Sequence, residues 1–325
     1  LQDISIRQVE IETLGDEVRD TFWVEPVRGG ALVDPGEKER LQLAILVTKQ
    51  FTHVLHRAAD PRGAFIRFEE LVRRVAGDGG GEHLQELLAD PAAQRELARL
   101  LGASDFLWED FIRLQYESIL PLLKDQRSRR PLSTPPADLP KRLDADLTEA
   151  VGVDEKKRVL NRFKDHQAYL IDADHILRRN TDFFFLSHRL TALAELIVDR
   201  AYRIALDEEV RRFGTPRSAA GLRAQYAVFG LGKLGGSALG YASDIELMTI
   251  YSDHGETDGG KERITNREFF ERLVRRVDDL IEAKREAIFE IDLRLRPYGD
   301  DGPRAVHVES FLDYFGPGGD AHSAE

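Results

Sequence analysis

The 325 residues include no cysteine, a single methionine and two tryptophans. Without thiols, structural disulfides and thiolate metal centres are excluded, which fits a cytoplasmic setting. No apolar run approaches membrane-spanning length and no secretory signal is legible at the front, so a membrane is not an expected partner. An excess of basic charge is missing too: 46 Lys and Arg stand against 58 Asp and Glu, for a formal charge of −12. Nucleic-acid binders carry a basic footprint, so nucleic acid is not an expected partner either. The length suits two or three compact domains. A first residue Leu1 in place of Met, and an end at Glu325 inside a glycine-rich stretch, read as an excerpt of a longer protein.

What is present centres on Tyr226 to Asp253, YAVFGLGKLGGSALGYASDIELMTIYSD. A short apolar run breaks into glycines at 230, 232, 235 and 236, and a second run begins at Ile245 with Asp244 and Glu246 at its start. Strand, glycine turn, short helix and acidic strand form a layout for holding a nucleotide's phosphates and their cation. Three readings compete. Gly230, Gly232 and Gly235 satisfy a dinucleotide fingerprint, with Asp253 near the place of a ribose-binding acid. However, only Gly236 to Ser243 separate that pattern from the next strand, too few for a full crossover helix. A P-loop fails outright, because Ala227 stands at its first glycine and Leu234 follows Lys233 where Ser or Thr is required.

The third reading is a metal-dependent nucleotidyl-transfer site. On a strand, Asp244 and Glu246 point to the same face, roughly 7 Å apart, while Ile245, Leu247, Thr249 and Tyr251 take the other. Paired carboxylates hold Mg2+ while leaving most of its shell to phosphate and water. The N–H groups of Gly235, Gly236 and Ser237 are expected to open the short helix and face phosphate. A third carboxylate is needed on a neighbouring strand. In Ile288 to Pro297, IFEIDLRLRP, alternation places Glu290, Asp292, Arg294 and Arg296 on one strand face.

GKLGG at 232–236, YASDIEL at 241–247 and DLRLRPYGDDGP at 292–303 resemble the catalytic domains of bacterial glutamine synthetase adenylyltransferase/deadenylases, members of the DNA polymerase β-like nucleotidyltransferase superfamily. The resemblance is specific from about Tyr226 to Phe315 and looser back to about Arg158. Glu246 departs from the Asp more usual in the family, keeping the charge on a longer arm. The resemblance implies Asp244, Glu246 and Asp292 as catalytic and Mg2+-holding residues, with Asp292 also placed to help deprotonate the incoming hydroxyl. It implies Gly235, Gly236 and Ser237 as phosphate holders, and Lys233, Arg294 and Arg296 as charge neutralisers. The implied reaction moves AMP between ATP and a tyrosine of glutamine synthetase, or removes it by phosphorolysis. The implied partners are glutamine synthetase and ATP or phosphate, with the PII signalling protein and glutamine as possible effectors. The motif does not set the direction.

The front is a different module. Residues 4–13 and 18–27 read as two strands joined by a short loop, and Asp34-Pro35-Gly36-Glu37 starts a helix. TLGDEVRDTFWV resembles the second half of an ACT domain, as at the end of PII uridylyltransferases. Helical spacing follows from Leu41. Asp60-Pro61 ends the first helix, a second runs through Phe65 to Val75, and a third opens at Asp90-Pro91 and closes at Gly102. His53 and His56 read as surface residues, and Phe106, Leu107, Trp108, Phe111 and Ile112 as core. Residues 126–140 read as a linker. Beyond it one long helix is capped by Asp154 and another opens at Ser187, with their Arg and Glu residues on solvated faces. Gly214 to Gly221 leads into the sheet, HGETDGGKER after Asp253 reads as a surface loop, and Thr265 with Glu268 marks a capping box.

The expected class is α+β: a largely helical N-terminal part, then a small nucleotidyltransferase-type sheet flanked by helices. The expected division is an ACT-like hairpin and helix over 1–50, a helical region over 51–125, the linker over 126–140, a second helical region over 141–213, and a catalytic domain over 214–325 that is cut short at its C-terminal end. A PII uridylyltransferase and a catalytically silent sensing domain remain as alternatives.

Overall fold

The structure is a computed structural model that describes residues 4–14, 17–26, 51–78, 90–103, 105, 108–109, 132–177, 182–241, 243–283 and 289–322. The chain divides into two compact units, Leu1–Arg129 and Arg130–Glu325.

In the first unit, β1 (Ile4–Leu14) and β2 (Glu17–Pro26) form an antiparallel hairpin whose register slips between Ile6 and Gln8. The helix expected from Asp34, together with Phe106, Leu107, Phe111 and Ile112, lies outside the described residues, whereas Trp108 is buried as expected. α1 (Pro61–Asp78) packs on α2 (Pro91–Leu101) through Ala64, Phe68, Leu71, Leu97 and Leu101, and the Phe51 ring stacks on Phe68. Both ends of α2 obey the sequence signals: the Asp90 side chain accepts the Ala92 N–H, and Gly102 caps the C-terminus. His53 and His56 are exposed.

The second unit has one apolar core shared by its helices and a sheet. α3 (Leu139–Glu149), α4 (Val153–Leu177) and α5 (Phe183–Phe213) contribute Leu143, Leu160, Phe163, Ile171, Leu193, Ile197 and Ala201. α5 begins at Phe183, not Ser187, because the Asp182 carboxylate accepts the Phe184 N–H and caps it there. Asp154 likewise lies inside the first turn of α4, and the Glu155 carboxylate takes the Val151 N–H instead. Residues 126–131 of the expected linker lie outside the described residues, and from Leu132 the chain is pinned to α4. Asp174 accepts from the backbone of Leu132 and Ser133, and Gln167 accepts from Thr134.

β3 (Gly214–Ser218) pairs antiparallel with β6 (Gly255–Gly259), so the expected loop after Asp253 is partly a strand. Its glycines and charges hid it, because this small two-stranded ribbon buries only Thr257 of its second strand. In the main sheet, β4 (Tyr226–Gly230) runs antiparallel to β5 (Ile245–Tyr251). On the other edge of β5, β7 (Ile291–Asp292) pairs parallel at its start and β8 (Ala305–His307) pairs parallel at its end. Parallel pairing requires a crossover, which α7 (Asn266–Leu280) supplies. Thr265 caps α7 by accepting the Glu268 N–H, and Phe269, Leu273, Val277 and Leu280 bury its stripe. α6 (Gly232–Gly235) is a single turn between β4 and β5, and α8 (Val308–Phe315) follows β8. Ile245, Leu247, Thr249 and Tyr251 are buried toward the helices, as alternation requires, which leaves the opposite face of β5 for Glu246.

Candidate active site

The site is built where β4, α6 and the starts of β5 and β7 meet. Leu231 donates its N–H to the Glu246 carbonyl and so draws the glycine turn against β5. Buried Leu234 and Leu239 anchor that turn in the core. Gly232 has φ +49, and a Cβ there would lie 1.6 Å from Glu246 Oε2. A side chain at 232 would have to displace the Glu246 carboxylate, at a φ that favours glycine. In return, the Glu246 carboxylate accepts the Lys233 N–H at 3.2 Å, as an acid at a helix start does.

The single turn ends earlier than the sequence suggests. Gly235, Gly236 and Ser237 close α6 instead of opening it. Their N–H groups donate to the carbonyls of Leu231, Gly232 and Leu234 at 2.9, 3.0 and 3.1 Å. The helix starts at Gly232 because the chain leaves β4 there, held by Leu231. Ser237 is a non-glycine residue at φ +53, a strained conformation at the end of the turn. Lys233 is exposed at the same turn.

The parallel ladder of β5 with β7 sets the acids. Ile245 faces Ile291 and Glu246 faces Asp292 in register. Hydrogen bonds extend the ladder backward: Phe289 donates to the Ser243 carbonyl at 2.9 Å and Ile245 donates to the Glu290 carbonyl at 2.8 Å. Paired residues of a parallel ladder share a face, so Asp244, Glu246, Glu290 and Asp292 lie on one side. Beyond Asp292 the expected alternation stops, and the strand is two residues long. Phe289 has φ +57 on one side; on the other, the Asp292 carboxylate accepts the Arg294 N–H and bends the chain into a turn.

A cavity of about 410 Å³ opens here, lined by Asp244, Glu290, Asp292, Arg294 and Arg296, together with Asp278, Asp300 and Arg304. Glu246 is not among the lining residues, since its carboxylate is turned to α6. The three carboxylates therefore do not close on one point. Asp244 and Asp292 share the cavity, whereas Glu246 stands beside Asp292 in the ladder. Asp278 and Arg304, joined at 2.9 Å, were not legible in the sequence because α7 and the approach to β8 meet only through the crossover.

Asp292 and Arg294 form a tight pair: Nη2 lies 2.6 Å from Oδ2, and Nε lies 3.0 Å from both carboxylate oxygens. These side-chain hydrogen bonds hold the Asp292 carboxyl below its usual range, against the opposing effect of partial burial. Arg294 is pushed upward by the same bonds, with Asp244 a more distant contributor. Arg296, sequence-expected as a charge neutraliser, is spent on the turn. Its guanidinium donates to the carbonyls of Leu293 and Gly302 and lies 3.9 Å from the Asp300 carboxylate.

The loop leading into Asp244 is held from α4. The Ser243 hydroxyl accepts the Gly240 N–H, and the Tyr241 hydroxyl bonds the His175 ring. Asn161 accepts the Glu282 N–H and donates to the Leu280 carbonyl, which fixes the exit of α7 toward β7.

A second group of potential ligands, His254, His307 and Glu309, gathers at the far end of β5 with ligand atoms within 4.8 Å of one another. His307 is committed there to capping α8, where its Nδ1 accepts the Glu309 N–H, and to stacking on the His254 ring. Among the described residues no helix is long and apolar enough to cross a membrane.

Residues 94–321 match the family model described as glutamate-ammonia ligase adenylyltransferase. Among curated relatives, the bifunctional glutamine synthetase adenylyltransferase/adenylyl-removing enzyme of Shewanella oneidensis is 34% identical over 229 residues, which is 69% of this chain and 23% of the relative. The enzymes of the same name from Shewanella woodyi and Pseudomonas aeruginosa are 31% and 32% identical, each over 223 residues and 68% of this chain, and 23% and 22% of their own lengths. The chain thus spans about a quarter of the length of these relatives.

Proposed function

The chain belongs to the glutamate-ammonia ligase adenylyltransferase family, and we propose that its second unit is a nucleotidyl-transfer centre that moves AMP between ATP and a tyrosine hydroxyl of glutamine synthetase, or removes it by phosphorolysis. The observation that carries this reading is the register pair Glu246–Asp292 beside a glycine turn, with Asp244 and Asp292 facing one cavity of about 410 Å³. That volume suits a small-molecule site.

The donors at the cavity fit Mg2+. The Asp244 and Asp292 carboxylates are hard oxygen ligands, and neither imidazole nor sulfur lines the wall. Asp244 and Asp292 would hold the ion, with Glu246 completing the set by leaving the Lys233 amide or by acting through water. When bound, Mg2+ withdraws charge from phosphate oxygens.

The remaining work falls to the chain itself. Arg294 neutralises phosphate through its fork of donors, and exposed Lys233 adds a second positive charge at the glycine turn. Gly235, Gly236 and Ser237 shape the floor under the phosphates, their N–H groups being already used within the turn. Arg296 braces the 293–302 turn that carries Arg294. With Arg294 docked, Asp292 is a poor proton acceptor, since a lowered pKa weakens a base. The family resemblance gives Asp292 the further role of helping to deprotonate the incoming hydroxyl.

This reading places the protein in the cytoplasm. Glutamine and the PII signalling protein are proposed as effectors on the resemblance alone, since the front corresponds to only the second half of an ACT domain. The test is to incubate the chain with glutamine synthetase, Mg2+ and labelled ATP or UTP, and in parallel with adenylylated glutamine synthetase and phosphate. Label from ATP on a glutamine synthetase tyrosine, or ADP released from the adenylylated enzyme, supports it. Label from UTP, or no transfer in either direction, refutes it.

A further inference from the structure

We propose that Arg294 is a latch on Asp292, holding the carboxylate that the nucleotide's cation needs until a polyphosphate draws the guanidinium away. The inference rests on the nucleotidyl-transfer reading and adds an order of events to it.

The two partners are placed unequally. The Asp292 side chain is 11% exposed, fixed in the cavity wall by the β5–β7 ladder, while the Arg294 side chain is 70% exposed. The anion therefore stays and the cation can swing. The Arg294 backbone N–H, 2.8 Å from Asp292 Oδ1, stays in place when the side chain leaves, so the carboxylate keeps its aim in both states. While docked, the guanidinium occupies lone pairs on both Asp292 oxygens. A divalent cation approaching from that side meets a like charge. A phosphate, by contrast, competes directly for the guanidinium, because it accepts the same two-pronged hydrogen bonding as a carboxylate.

The other two arginines of the cavity are not placed to do this. Arg296 is 8% exposed and braced by backbone carbonyls, and Arg304 is paired with Asp278. The arginine end of the pair is open to solvent, so the guanidinium can pass to an alternative anion once one is present. Cation and polyphosphate then bind with positive coupling, and by linkage each strengthens the other.

Mn2+ binding without nucleotide, read by electron paramagnetic resonance or calorimetry, tests the latch on the wild-type chain, Arg294→Ala and Arg294→Lys. Lysine keeps the charge and loses the fork. The latch predicts tighter Mn2+ binding by both variants, on the order of threefold to fivefold, the range of a partly exposed ion pair. Tightening in Arg294→Ala alone would assign the effect to net charge and overturn the latch. No tightening in either variant would also overturn it. Adding Asp244→Asn to the Arg294→Ala chain separates this outcome from failure of the underlying reading. If Asp244→Asn abolishes Mn2+ binding, the cavity is a cation site whatever Arg294 does. If Asp244→Asn leaves Mn2+ binding unchanged, the nucleotidyl-transfer reading fails and the latch with it.

Discussion

Glu246 and Asp292 face each other across the parallel register of β5 and β7, yet their carboxylates are held by different groups: Glu246 by the Lys233 amide at 3.2 Å, Asp292 by the Arg294 guanidinium at 2.6 Å. Both holders are ones a nucleotide could replace. A helix-start amide and an exposed arginine are each attractive to phosphate, so the same ligand that brings a cation also competes for the groups restraining both acids.

Gly232→Ala tests the first restraint. A Cβ would lie 1.6 Å from Glu246 Oε2, at a φ of +49 that disfavours alanine. The backbone conformation alone costs about 1–2 kcal/mol, and Glu246 must move. Chemical denaturation should show that modest loss, while AMP transfer falls by at least an order of magnitude. Transfer at the wild-type rate would mean that the position of Glu246 is immaterial.

Arg296 and Arg294 should part company in stability. Arg296→Ala leaves the carbonyls of Leu293 and Gly302 without their donor, at about 1–3 kcal/mol, and lowers the Tm. Arg294→Ala removes an arginine that is itself exposed and leaves the Asp292 carboxylate its bond from the backbone N–H of the same residue, so the Tm falls less. Equal Tm values for the two variants would contradict the division of labour between brace and latch.

Tyr202 ties the sheet to α5. Its hydroxyl lies 2.6 Å from Thr249 Oγ1 in the core, and burial pushes its pKa up to about 12 despite the opposing effect of that hydrogen bond. A folded pKa above the ordinary phenol value of 10.0 favours the neutral phenol, so this stability is whole below about pH 10 and lost as pH rises toward about 12. Tyr241 is raised to about 12 as well, mainly by burial. Tyrosine absorbance should therefore show some phenols ionising only as the chain unfolds in that window. Tyr202→Phe leaves Thr249 without this partner and costs about 1–2 kcal/mol at neutral pH. A titration in which every tyrosine ionises near pH 10 in the folded chain would refute this.

Much of the site was legible because its elements are local. The alternation of β5, the Thr265 cap and the Asp90 cap all follow from neighbours in sequence, and each is found as read. The failures share a cause, which is that tertiary partners decide them. Alternation through IFEIDLRLRP is real in the sequence, but the Asp292 carboxylate captures the Arg294 N–H and turns the chain after two strand residues. The Arg and Glu residues of α4 and α5 were read as solvated, yet Arg189 and Glu209 are buried, facing Asp174 and Arg272. Asn161, Lys164, Gln167 and Asp174 of α4 are buried too, where they hydrogen-bond loop backbone from distant segments, Leu132 to Thr134 and Leu280 to Glu282. Buried polar groups need partners, and a single sequence does not show which loops supply them. The glycine turn between β4 and β5 was read in its place, but the start of the helix was set by Leu231 bonding to β5, ahead of Gly235.

The most direct measurement is the rate of AMP transfer between labelled ATP and glutamine synthetase by the wild-type chain and by Asp244→Asn, each with its Tm in Mg2+ and nucleotide. Asp244 faces the cavity with Asp292, and the substitution removes a ligand charge while keeping the side chain's size. Transfer should be abolished, most of the Mg2+-dependent rise in Tm should disappear by binding linkage, and the chain without ligands should be as stable as wild type or slightly more so, because repulsion among the acids is relieved. Near-native transfer by Asp244→Asn would contradict the account, since the carboxylates would then be ordinary surface charges.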